Sequence, residues 1–203
     1  MKFFFCLFTL ILVYSNAIGQ SIFRSKAYGF EMQSPKNWNE ATNAVLMNNL
    51  AKLYNSNENL QKILQSNKGS LLLSSFYKYD PQFHPGLIPT IKINVRQKTD
   101  VDFGKFMSNI TQSAKGFFTI FKDFEYLTAP TEIEISGIKS VYFIGKFTLR
   151  TQDGQEMKVR SRTYAIPRKN YFFQVNFMDG QTEEDCKDLF DSLIKTIKIN
   201  SIN

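Results

Sequence analysis

The sequence predicts an α+β fold, a single antiparallel β-sheet flanked by helices. Three observations carry this. Residues 141–149 and 156–166 alternate apolar and polar side chains with the period of a strand, and they flank Asp153-Gly154, the dipeptide that most favours a tight hairpin turn. Residues 171–178 alternate again after a turn at Pro167-Arg168-Lys169-Asn170. The C-terminal set Cys186, Leu189, Phe190, Leu193, Ile194 and Ile197 has the three–four spacing of a helix with one apolar stripe. A sheet and helices with one apolar face each must bury those faces against one another.

The elements follow in chain order. Tyr28-Gly29-Phe30-Glu31-Met32 alternates and stops at Pro35, which reads as a first strand. Residues 39–67 are rich in Asn, Leu and Lys, with Leu46, Leu50 and Leu53, then Leu60, Ile63 and Leu64, at helical spacing. Two short helices, broken around Asn55-Ser56-Asn57, are expected there. Strands follow at 70–79 and 90–98, joined by a turn-rich loop over 80–86. A helix starts near Asp102 with Phe103, Phe106, Met107, Ile110, Ala114 and Phe117 as its stripe, and a shorter strand covers 132–136.

In the first hairpin strand Val141, Phe143, Phe147 and Leu149 share one face, and Tyr142, Ile144, Lys146 and Thr148 the other. The return strand puts Lys158, Arg160, Arg162 and Tyr164 on one face and Met157, Val159, Thr163 and Ala165 on the other. A two-residue turn at Asp153-Gly154 places Arg160 opposite Phe147 and Arg162 opposite Gly145. In the last helix Thr182 is the expected cap, with Glu183, Glu184 and Asp185 at the positive end of its dipole.

The first nineteen residues bear on where the chain works. Lys2 precedes an apolar run over residues 3–14, and Ala17-Ile18-Gly19 stands ahead of Gln20. This is the pattern of a cleaved secretory signal peptide, too short to span a bilayer as a helix. The expectation is therefore a signal peptide at 1–19, one globular domain at 20–203, and secretion to the periplasm or beyond. Gln20 follows the cleavage site where a lipoprotein needs Cys, so no lipid anchor and no transmembrane anchor are expected. Cys6 leaves with the signal, and Cys186 alone cannot form an intrachain disulfide.

The formal net charge of +7 falls by one when Lys2 is removed. The excess is spread along the chain with no block of like charge. Nucleic acid is excluded as the partner of an exported chain of this kind, whereas an anionic envelope component remains open.

Chemistry-bearing constellations are sparse. His84 is the only histidine, Glu132 and Glu134 lie two apart on one predicted strand, about 7 Å between Cα atoms, and Cys186 sits on an apolar helix stripe. No Gly-x-Ser-x-Gly elbow, Gly-rich phosphate loop or paired-cysteine motif occurs. Neither a cofactor nor catalysis is expected. The blander readings are a loop residue for His84, a solvated strand face for the glutamates and a buried small hydrophobe for Cys186.

The opening Tyr28-Gly29-Phe30-x-Met32 strand, ending at Pro35-Lys36-Asn37-Trp38, resembles the start of the PsbP-like superfamily. The similarity continues through the Asp102 helix, the meander and the closing helix, and so covers most of the chain after residue 20. That group includes an extrinsic accessory protein of photosystem II, a Ran-binding import factor and many exported bacterial proteins. The resemblance implies a PsbP-like α/β/α sandwich and a non-enzymatic, partner-binding role. It implies neither photosynthesis nor Ran binding, because one fold hosts many functions.

The expected function is thus that of an exported, non-enzymatic accessory protein binding a protein or an envelope component. The residues expected to meet the partner are Lys158, Arg160 and Arg162 on one strand face, with Phe83 and His84 in the loop. Two rivals stand beside it. One is a carrier holding an apolar small ligand or lipid between sheet and helices, suggested by the twenty phenylalanines. The other is a hydrolase, which requires Glu132, Glu134 or His84 to line a real cleft.

Overall fold

The alternating stretches do become strands, and the chain adds others that no alternation announced. The computed structural model describes residues 21–42, 69–80, 82–98, 102–150 and 154–200. The signal peptide expected at 1–19 and the helices expected within 43–67 lie outside these residues. Strands β1 (Ile22–Ser25), β2 (Phe30–Gln33) and β3 (Asn39–Thr42) open the chain, followed by β4 (Ser70–Tyr77) and β5 (Thr90–Gln97). Helices α1 (Phe103–Lys115) and α2 (Phe117–Ile120) lead into β6 (Lys122–Ile135), β7 (Ile138–Arg150), β8 (Glu156–Pro167) and β9 (Tyr171–Gly180). Helix α3 (Lys187–Ile194) and the short β10 (Lys198–Ile199) close it.

The expected single sheet is two. Seven strands pair antiparallel in the order β3-β4-β5-β9-β8-β7-β6, and β1, β2 and β10 form a separate three-stranded sheet. The second sheet exists because the last residues return to the first: Lys198 pairs with Glu31 and Ile199 with Phe30. Asn200 N donates to Gly29 O at 2.8 Å. Gly29 has φ of +64°, a left-handed turn that an L side chain resists, and it separates a 3₁₀ turn at Lys26–Tyr28 from β2. The expected start of that strand at Tyr28 is therefore two residues early.

Three further expectations need correction. Asn39–Thr42 is a strand paired with β4, not the start of a helix. Strand β6 runs for 14 residues where five were expected; it is an edge strand whose alternation is broken by Pro130 and three register irregularities. Helix α3 starts at Lys187, so Thr182 does not cap it, and Glu183–Asp185 form the approach to it. The Asp102 cap does hold: its side chain accepts from Lys105 N at 2.8 Å.

The large sheet has two different faces. Ile91, Ile93, Val95, Phe173, Val175 and Phe177 point to the main core, which the small sheet and α3 cover with Phe30, Met32, Phe190 and Leu193. The opposite face receives α1 through Phe106 on Val141, Ala165 and Phe172. Beside it Phe117 of α2 and Phe121 pack with Phe124, Phe147 and Val159. Trp38 packs half-buried against this core, its ring 6.1 Å from that of Phe190. This is a three-layer arrangement, with one covering layer itself part sheet.

Candidate functional site

Antiparallel pairing gathers three connections at one end of the large sheet. They are the β4–β5 loop, the β7–β8 loop and the link from β9 to α3. Between them lies a cleft of about 500 Å³ walled by His84, Gly86, Glu156, Lys158, Glu183 and Glu184, among others.

The β4–β5 loop is held by its own polar groups. Asp80 O accepts from Phe83 N and His84 N, both at 3.1 Å, and Asp80 Oδ1 accepts from Gln82 N at 2.9 Å. The imidazole of His84 stacks on Tyr79, with centroids 4.2 Å apart. Phe83, at the tip, is 82% exposed.

The link after β9 is tied down from two sides. Glu184 lies in the left-handed region at φ +58°, an unfavourable place for a side chain of its size. Its carboxylate accepts from Lys78 Nζ and, at 2.8 Å, from Tyr79 OH. The Lys78 hydrogen bond holds the Glu184 carboxyl below the usual carboxylate range. On the other side, Arg160 donates to Asp179 and to Asp185 Oδ1, and Asp179 Oδ2 accepts from Cys186 N at 3.0 Å. Gly180 allows the sharp exit, since a Cβ there would stand 1.8 Å from Glu183 O.

The structure divides the five expected contact residues. His84 and Lys158 line the cleft and Phe83 stands on the same loop as His84. Arg160 and Arg162 do not join them. Arg162 is buried, donates to Asp179 Oδ1 at 3.0 Å, and lies over the ring of Phe190 at 5.4 Å. The expected exposed basic face is therefore withdrawn beneath α3. The register expectation fails with it: Arg160 pairs with Lys146 and Arg162 with Ile144. Five residues separate Arg150 from Glu156, and an odd loop shifts the pairing by one position relative to a two-residue turn. Asp153 itself lies outside the described residues.

Asp179 and Gly180 were not singled out in the sequence, although Asp179-Gly180 after an alternating strand is a turn signal that marks the strand's end, and Glu184 was read only as an acidic residue at the helix dipole. The other candidates are dispersed. Glu132 sits on the exposed edge strand, paired with Lys139 at 3.0 Å, and neither it nor Glu134 borders the cleft. Cys186 is buried, and burial pushes its thiol up to about 11. Among the described residues no three of His, Cys, Asp and Glu come together as metal ligands would. No described helix is long and apolar enough to cross a membrane.

No protein-family model matches this chain, and no curated protein does either. Solved structures do. The solution structure of cyanobacterial PsbP from Synechocystis sp. PCC 6803 aligns over 89% of this chain and 92% of its own, with a TM-score of 0.50 at 10% identity.

The fold is PsbP-like.

Weaker likenesses accompany it. A crystal structure from Bacteroides thetaiotaomicron VPI-5482 covers 89% of this chain at 14% identity and a TM-score of 0.48; the chain spans about half of that protein, 48%. LpqN of Mycobacterium tuberculosis, described as involved in cell envelope biogenesis, covers 64% of this chain and 79% of its own at 19% identity and a TM-score of 0.42. The likeness is one of fold and assigns the loop end no chemistry.

Proposed function

We propose that this chain is an exported, non-enzymatic accessory protein that binds a partner protein through the loop end of its PsbP-like domain. The observation that carries the reading is Phe83, 82% exposed on a loop braced by the Asp80 backbone bonds and the Tyr79–His84 stack. Burying such a ring against a partner is worth about 1.5–3 kcal/mol. Because those contacts already brace the residues around Phe83, less entropy is lost on contact. Aromatic anchors beside a recess are the usual centre of an interface.

Charge favours a protein over an anionic envelope polymer. Around the cleft Glu156, Glu183 and Glu184 offset Lys158 and Lys78, so no strong positive field is presented. The residues expected at 1–19 support export, and the likeness to cyanobacterial PsbP is consistent with an accessory role. The test is crosslinking in living cells with a photoreactive residue at the exposed neighbour Gln82, Phe83 being kept. A partner that crosslinks there, and is lost in Phe83→Ala but kept in the α1 surface variant Lys105→Glu, supports the reading. Equal recovery with both variants refutes it.

A further inference from the structure

We propose that a second site, between helices α1 and α2 and the large sheet, holds a single-chain anionic amphiphile, a free long-chain carboxylate. Two chambers meet on this face. The larger, about 530 Å³, has Arg96, Gln97, Asn109 and Gln174 at its polar end and Phe106 and Phe172 within. The smaller, about 200 Å³, is walled almost wholly by apolar surface from Phe117, Phe121, Phe124, Phe147 and Met178. Both are bordered by Phe117, Phe143 and Thr163, so they adjoin along one groove. Neither shares a lining residue with the loop-end cleft.

The groove grades from polar to apolar, which is the shape of a head and a tail. Its charge decides the head. Lys92 and Arg96 alternate along β5 and border the two chambers. Among the described residues neither cation is paired with a carboxylate; Arg96 reaches only the Gln174 amide oxygen, at 2.9 Å. A guanidinium with no carboxylate partner suits a ligand carboxylate. The aromatic end offers an alkyl chain a dry surface, and no described acidic side chain lines either chamber. A cationic or neutral amphiphile gains the second feature and not the first.

Calorimetric titration of the purified chain with dodecanoate, below its micelle concentration, tests this. Saturable binding at one site is expected, with dodecyl maltoside weaker and dodecyltrimethylammonium weakest. Arg96→Glu, an exposed position at the polar chamber, should weaken dodecanoate about tenfold and leave dodecyl maltoside unchanged. Ser113→Trp, on the exposed side of α1 at the larger chamber, should weaken both, and all variants should keep the wild-type circular dichroism. The proposal is overturned if dodecanoate fails to saturate, if the charge reversal leaves its affinity unchanged, or if Ser113→Trp has no effect. Sedimentation with phosphatidylglycerol vesicles in the absence of dodecanoate binding would also overturn it, by showing surface adhesion instead.

Discussion

Arg162 and Asp179 meet in the interior, with Nη1 3.0 Å from Oδ1, 3% of the arginine side chain exposed and none of the aspartate's. Arg160 takes the other oxygen of Asp179 at 2.7 Å and bridges to Asp185. One carboxylate therefore accepts from two guanidinium groups, with Asp185 supplying the second negative charge, and also accepts the Cys186 N–H just ahead of α3. Asp179→Ala leaves the buried Arg162 guanidinium and the Cys186 N–H without their acceptor and Arg160 with Asp185 alone. It should cost about 3–5 kcal/mol of unfolding free energy, read by urea denaturation. A loss under about 1 kcal/mol would show that water replaces the carboxylate without penalty.

Gly180 has no freedom to acquire a side chain. The obstacle is the main-chain oxygen of Glu183 at 1.8 Å, which no rotamer change can clear. Gly180→Ala should destabilise by about 3 kcal/mol or more and lower the melting temperature accordingly. Gly145→Ala meets first the Phe124 ring, at 2.5 Å, a side chain rather than backbone, and should cost less, about 1–3 kcal/mol.

Acid should weaken the link between β9 and α3. Glu184 is held below the ordinary carboxylate range chiefly by Lys78, and Asp185 chiefly by the Lys187 backbone N–H with Arg160 adding to it. Both folded values lie below the unfolded ones, so their stabilisation is complete above roughly pH 4.5 and fades as pH falls through the folded values. Urea midpoints measured between pH 7 and pH 2.5 should drop less steeply in Glu184→Gln and Asp185→Asn than in the wild type. The Lys78 ammonium runs the other way: its folded value is raised, so its share persists until strongly alkaline pH.

The Cys186 thiol should be nearly inert in the folded protein. Burial pushes it up to about 11, and neighbouring Asp179, Glu184 and Asp185 add to the shift. Labelling by a disulfide reagent at pH 8 should run at least ~100-fold slower than in urea. Reaction at the rate of a free peptide would mean that the N-terminus of α3 opens readily.

The loop end was half legible. Phe83 and His84 stand out in a stretch with Asp80, Pro81, Pro85 and Gly86, because turn residues announce a surface loop and an aromatic there is conspicuous. Lys158 was found through strand alternation, and the same alternation grouped Arg160 and Arg162 with it correctly. It could not tell which face α3 would cover. A basic strand face reads as solvated unless its counter-charge is visible, and Asp179 lies on β9, 17 residues from Arg162.

By itself the sequence determined the local periods. The strand alternations, the stripe of α1 with its Asp102 cap and the apolar face of α3 follow from side-chain spacing within each segment, where chain geometry leaves few choices. The tertiary structure alone decided that β9 lies beside β5, that β10 returns to β2 to make a second sheet, and that the β7–β8 register is offset by one residue. It alone decided that Arg162 is buried, because burial depends on what distant segments bring to a face. Pairing across long separations is set by the free energy of the whole assembled core, which no short window contains.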